Sequence, residues 1–272
     1  MVTTRTNAGA FDRGLALAHR YGYPLRALVR REIKKRYAAT MLGLGWTVLQ
    51  PLALIAVYFF VFGIVRGSGS EPAETRRFIL HLLSGMLPYL AIADALRGAT
   101  MSLREDRAVL ERPEFPAEVV PAARVLSTTV AEMVGLALLF VLACSQGIPV
   151  NAWVLAMPLL VAMRILITCG LAWMLSTLGL FLPDLAEVLS FLLTLWLFLT
   201  PIFYNAESVP GGLQWMLAIN PLHPLVGAYR GVLLENRAPF PEFVFLIAWA
   251  AALSSAGLWF FRKTLDRGKD FL

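Results

Sequence analysis

Long apolar runs separated by short polar stretches set the pattern of this chain. They predict six membrane-crossing helices, at Leu44–Val65, Phe78–Gly98, Pro121–Cys144, Ala152–Phe181, Ala186–Tyr204 and Phe243–Phe261. A crossing takes about 20 mostly apolar residues, so the fourth run is long for one and is expected to tilt or break near Pro158. Ahead of the first run, Leu25, Val29, Ile33 and Tyr37 recur every four residues within Leu25–Met41, and Arg26, Arg30, Arg31, Lys34 and Lys35 take the rest of the surface. That pattern predicts an amphipathic helix in the membrane interface, its apolar stripe in lipid and its cations among phosphates. Gly43 and Gly45 permit a sharp turn into the first span. Between the last two runs, Gly211–Ile219 and Pro224–Leu234 are each too short to cross and are bounded by Pro and Gly. They predict two short re-entrant or interfacial helices buried against protein. The expected fold is thus an all-α integral membrane protein: residues 1–43 with the interfacial helix, a six-span domain over 44–261, and a tail over 262–272.

Charge orients this array. Residues 1–43 hold nine basic side chains against Asp12 and Glu32, and 262–272 hold four against Asp266 and Asp270. Cytoplasmic flanks carry the Lys/Arg excess, so both termini are expected in the cytoplasm, which an even number of spans permits. The stretch from Asn205 to Glu242 then falls outside, and residues 99–120 and Leu182–Glu187 fall inside. Some forty polar and basic residues before the first apolar run are unlike a secretory signal. Composition agrees: 58% of residues are hydrophobic, only 15% charged, and the mean hydropathy is +0.67, against about 25% charged in soluble domains. The net charge of +6 is no nucleic-acid footprint, because its cations cluster beside apolar runs.

Candidate chemistry is sparse. Cys144 and Cys169 lack the spacing of a disulfide frame or zinc site, and the three histidines are scattered. Only Lys263 precedes a Thr or Ser, and Arg262 stands where a phosphate-binding loop needs Gly, so no such loop exists. No cofactor or metal is expected on this chain, and no catalytic set is visible. Charges inside predicted spans remain. Asp94 and Arg97, three residues apart, are expected to pair locally. Counted at 1.5 Å per residue, Glu132 lies about 17 Å and Arg164 about 28 Å from the inner face, which makes them poor partners; Glu132 is expected to bond a neighbouring helix. Aromatic residues crowd the first span (Tyr58, Phe59, Phe60, Phe62) and the fifth (Trp196, Phe198, Phe203, Tyr204). An interfacial belt with packing is one reading, and a lining over whose ring faces a sugar chain slides is the other.

The order of these parts resembles the membrane subunit of type-2 ABC exporters, in the Wzm-like branch that handles O-antigen, capsule and teichoic acid. The resemblance rests on Arg31-Glu32-Ile33-Lys34-Lys35-Arg36-Tyr37 with Leu42-Gly43, Trp46 and Gln50-Pro51; on Ser84-Gly85-Met86-Leu87-Pro88; and on Phe115-Pro116-Ala117-Glu118-Val119-Val120-Pro121. Leu199-Thr200-Pro201-Ile202-Phe203-Tyr204, Asn220-Pro221-Leu222, Tyr229-Arg230 and Lys269-Asp270-Phe271 complete it. It covers nearly the whole chain; each motif is weak and their order is specific. The resemblance implies a homodimer in the cytoplasmic membrane, with Tyr58, Phe59, Phe62, Trp196, Phe203 and Tyr204 lining a channel for lipid-linked polysaccharide. It implies two separate ATPase subunits that bind ATP and Mg; Pro113, Pro116 and Pro121 bracket a polar segment in which Arg104–Glu111 is expected to form a brief helix, with Arg104, Glu105, Arg107, Leu110, Glu111, Arg112 and Phe115 for such a subunit to grip. Arg30, Arg31, Lys34, Lys35 and Arg36 are then expected to meet the substrate headgroup and anionic lipid. A type-2 permease for drugs or lipids, and a polytopic enzyme acting on lipid-linked sugar, are the rival expectations.

Overall fold

The computed structural model describes residues 10–37, 40–65, 72–110, 115–149 and 151–268. Among these the chain is helical, with no strand. Helix α1 (Ala10–Tyr37) leads through a 3-10 turn at Gly43–Gly45 into α2 (Trp46–Tyr58), which loosens into a π-helical segment, Phe59–Val65. Then come α3 (Pro72–Thr100), the short α4 (Ser102–Glu105) and α5 (Arg107–Leu110), and α6 (Val119–Ser145). A 3-10 turn, Ala152–Ala156, precedes α7 (Met157–Phe181), followed by α8 (Leu185–Leu199), α9 (Gln214–Ile219), α10 (Leu222–Leu233) and α11 (Phe240–Gly268).

Four segments are long and apolar enough to cross a bilayer: Glu74–Thr100, Val119–Ser145, Ala152–Phe181 and Phe240–Leu265. Trp46–Val61 and Leu185–Leu199 are apolar but shorter. The fifth expected span ends early, at Leu199, because Pro201 cannot extend a helix and holds the residue before it extended. Phe203 and Tyr204 therefore lie beyond α8. The break expected at Pro158 is real: the run starts as a 3-10 turn, and Pro158 sits in the first turn of α7, where a missing N–H costs nothing. Asn151 caps that turn by accepting from Trp153 N at 2.7 Å and donates to Val232 O at 3.1 Å, fastening the turn to α10.

Helix α3 is the central post. Its Leu82, Leu83, Ile92 and Leu96 meet Leu139 of α6, Leu160 and Ile167 of α7, and Leu225 and Val226 of α10 in the main core. Helix α11 lies along α7 at backbone contact: a Cβ on Gly170 would strike Leu253 O, and one on Gly257 would strike Gly170 O. Small residues at such crossings let helix axes close up where lipid offers no hydrophobic drive. At one end, here called basal, a second core gathers Leu28 of α1, Leu103 of α4, Val119 and Ala123 of α6, Leu180 of α7 and Phe261 of α11. Tyr21, Leu25 and Val29 of α1 pack onto it. Leu25 and Val29, half of the apolar stripe of α1 expected in lipid, thus pack against protein instead.

The two short helices expected after the fifth run form as α9 and α10 at the opposite, apical end, but α9, expected to be buried against protein, buries only Leu217 and leaves Trp215 and Ile219 exposed. Helix α10 is inserted among α3, α7 and α11 and is buried through Leu225–Leu233 at most positions.

Candidate functional site: a charged basal frame, a mid-bundle ion pair and an apical insert

The cations of α1 are largely spoken for within the molecule. Arg31 pairs with Asp106 and, at 3.2 Å, with Glu32; Lys35 reaches Glu105 at 2.7 Å; Arg36 pairs with Asp94. Arg124 of α6 closes the frame by pairing with Glu32 and with Glu105 at 2.8 Å. This corrects the expected Asp94–Arg97 pair: α1 packs along α6 and its end brings Arg36 to Asp94 of α3, leaving Arg97 on the wall of a cavity. Burial pushes the Glu105 carboxyl up, but the Lys35 hydrogen bond and the Arg124 charge bring it below the usual carboxylate range. Burial likewise disfavours charge on Arg31, and its Asp106 and Glu32 partners raise it above its ordinary value. Arg30 and Lys34 are exposed, with no ion pair among the described residues.

The expected brief helix near Arg104–Glu111 forms as two single turns, α4 and α5, separated at Asp106. Its charges point mostly inward: Glu105 and Asp106 serve the frame, and Arg104 Nη2 donates to Leu180 O at 2.8 Å. Arg107 is exposed, and Leu110 and Phe115 are half-buried against the basal core. Glu111 and Arg112 lie outside the described residues. Above the frame, a cavity of about 330 Å³ rises between α1, α2, α3 and α6. Arg36, Gln50, Asp94, Arg97 and Thr128 line it, and Glu132 stands at its inner end.

Glu132 and Arg164, expected to be poor partners, form an ion pair with both side chains fully buried. The levels were misjudged by starting the count at Pro121 and Pro183. From the observed ends, Val119 and Phe181, the two stand about 20 and 26 Å up their helices, a gap that an Arg side chain bridges. Tyr229 of α10 donates to Glu132 Oε1 at 2.8 Å, and Arg164 Nη2 also donates to Thr129 Oγ1 at 2.8 Å. The expectation that Glu132 bonds a neighbouring helix holds twice over, to α7 and α10. In the sequence Tyr229 stands out only within the Tyr229-Arg230 motif; a lone phenol on an apolar insert is the signal that it seeks a buried polar partner.

Two further side chains, Asn220 and Arg230, hold the apical insert. Asn220 Oδ1 accepts from Trp196 Nε1 at 2.9 Å and from Leu222 N at 3.0 Å, while its Nδ2 donates to Thr200 Oγ1 at 2.9 Å. Arg230 donates to three carbonyls, of His81 (3.3 Å), Pro201 (2.7 Å) and Ile202 (3.0 Å), tying α10 to α3 and to the bend after α8. The aromatic residues form no single ladder. Tyr58 at the end of α2 is half-buried, Phe59 at the start of the π-helical segment is exposed, and the side chain of Phe62 lies outside the described ones. Trp196 is an anchor for Asn220, while Phe198 and Phe203 stack at 5.7 Å and Tyr204 donates to Phe198 O at 3.0 Å. Among the described residues no group of His, Cys, Asp and Glu is placed to hold a metal ion.

Comparison with known proteins covers all three regions. The ABC-2 type transporter family profile matches residues 23–234. An O-antigen export system permease protein RfbA from Myxococcus xanthus is 29% identical over 89% of this chain and 90% of its own. A protein of the same name from Klebsiella pneumoniae is 24% identical over 95% and 99%. The polysialic acid transport protein KpsM of Escherichia coli is 23% identical over 78% and 81%.

Proposed function

The chain belongs to the ABC-2 type transporter family, and from that premise we propose that it is the permease of an ATP-driven exporter of lipid-linked polysaccharide. The observation that carries this reading is end-to-end similarity to relatives named as O-antigen export permeases, which spans the basal frame, the ion pair and the apical insert alike. In this reading the protein sits in the cytoplasmic membrane with six spans, the two short apolar helices α2 and α8 being the first and fifth. The basal end, with both termini, faces the cytoplasm. Two copies pair through α2 with its π-helical continuation and through α8, which expose Phe59, Phe60, Phe191 and Phe198. Two ATPase subunits, which bind ATP and Mg, dock on the basal face about α4, α5 and Phe115. The inward hydrogen bonds of α4 support that docking site, since a push on it is passed directly to α1 and α6. Arg30 and Lys34 meet lipid phosphate, and the cavity above the frame offers Arg36 and Arg97 to an anionic headgroup.

Deleting the gene in its source organism tests the proposal. Polymer is expected to vanish from the surface and accumulate inside, with restoration by the intact gene. Co-purification of an ABC ATPase with the tagged chain is expected in the same strain. Undiminished surface polymer after deletion would overturn the reading.

A further inference from the structure

At the apical end a cavity of about 510 Å³ opens between the turn Ala206–Ser208, α9, α10 and α11. Its volume lies within the range of about 300–1,000 Å³ typical of ligand sites. Phe245 and Trp249 supply an aromatic wall, and Glu207, Gln214, His223 and Glu242 supply polar groups of both donor and acceptor kind. No Lys or Arg lines it. Glu242 is half committed: Oε1 accepts from Arg237 Nη2 at 2.6 Å, while Oε2 is buried with no hydrogen-bond partner among the described residues. A buried carboxylate oxygen without a donor is costly, so a ligand bearing hydroxyls would relieve it. A second cavity, of about 390 Å³, lies on the other side of α9 and shares Trp249. Leu171, Leu199, Trp215, Ile219 and Leu253 make that one nearly all apolar, the surroundings an acyl chain prefers.

The contrast between the two assigns the larger cavity. A phosphate or carboxylate entering it would meet two glutamates and no cation. A hydrocarbon chain would cover four polar side chains without satisfying them. A pyranose fits both halves: its C–H face packs on an aromatic ring, and its hydroxyls donate to carboxylates and accept from an amide. We propose that this cavity is a binding site for a short neutral saccharide segment, held loosely, as passage requires binding weak enough to release. The proposal rests on the reading of the chain as a polysaccharide permease and names where, and with which groups, sugar is held.

The full chain in nanodiscs, probed by saturation-transfer NMR with maltotriose, mannotriose and the anionic digalacturonate, tests it. Saturation is expected to reach ring C–H protons of a neutral trisaccharide and to fall at least threefold in Trp249→Leu and in Glu207→Ala. Digalacturonate should receive less than the neutral probes. Glu207 is exposed, so its replacement leaves the fold intact, as an unchanged elution profile would verify. No transfer to either neutral probe, transfer indifferent to both substitutions, or preference for digalacturonate overturns the proposal. So does native mass spectrometry showing a phospholipid that depends on Glu207, which lines this cavity and not its apolar neighbour, and that trisaccharide does not displace. A chain that fails here while its deletion still abolishes surface polymer loses only this site; one whose deletion leaves surface polymer unchanged loses the permease reading itself.

Discussion

Neutralising Glu132 alone strands the Arg164 guanidinium among apolar helices, whereas replacing both leaves nothing to strand. Breaking one side of a buried ion pair costs about 3–5 kcal/mol, while exchanging the whole pair for apolar residues is often near neutral. Glu132→Gln or Arg164→Met should therefore lower the thermal midpoint in detergent far more than the double replacement Glu132→Leu with Arg164→Met. Tyr229→Phe, which removes one bond to a charged acceptor, should cost about 1.5–3 kcal/mol. A double variant as unstable as the sum of its singles would refute the account. Both charges were legible in the sequence; their partnership was not, because it hinges on two residues of extra helix at the basal ends and on a phenol supplied by a distant insert. On α1 the exposed Arg30 and Lys34 are the cations available to phosphate, each worth about 1 kcal/mol near an anionic surface. Changing both to Gln should weaken binding of the chain's residues 10–37, made as a peptide, to phosphatidylglycerol vesicles by roughly tenfold or more on that figure and reduce export at equal protein level. Unchanged export would leave α1 an anchor only.

At the scale of single helices, the attachment of α1 to α4 is electrostatic at its rim and apolar beneath. The folded Glu105 carboxyl sits below its ordinary value, so its contribution is present above the unfolded carboxylate range and is lost as pH falls through the lowered folded value. The gap in thermal midpoint between the wild type and Glu105→Gln should accordingly be widest near neutrality and close on acidification; a gap that widens in acid would contradict the frame. Where α7 and α11 cross, Gly257→Leu drives a side chain into the Gly170 backbone. Overpacking typically costs about 1–3 kcal/mol, and a collision with main chain should exceed that, seen as loss of the monodisperse peak on size exclusion. Pro158 marked a helix start, but Pro24, Pro51 and Pro88 sit inside helices, and the fifth run, expected to reach Tyr204, stops before Pro201. The face that α1 turns inward was no more readable, since one amphipathic stripe suits lipid or protein equally. Glu32 carried the missing signal: it continues the line of Leu25, Leu28 and Val29, and a carboxylate on that line calls for a cation such as Arg124 rather than an acyl chain.

Taken as a whole, the molecule places its charged frame at one end and its α9–α10 insert at the other. Cys144 is exposed at the apical end of α6 and Cys169 is buried, which makes the native thiols useful. In intact spheroplasts an impermeant thiol reagent should label Cys144, and also Ser208→Cys in a background lacking the native thiols. Lys263→Cys should react only after the membrane is opened; its labelling in intact spheroplasts would invert the orientation. The mid-bundle pair adds a constraint on how such a molecule is made. Arg164 follows Glu132 by 32 residues and Tyr229 by 97, so α6 is synthesised well before anything can answer its carboxylate. Either charge alone at the bilayer centre costs about 2.5–3.5 kcal/mol on insertion. Inserting α6 and α7 together, as a hairpin, avoids stranding either charge, and the second carboxylate oxygen of Glu132 is answered only when α10 follows.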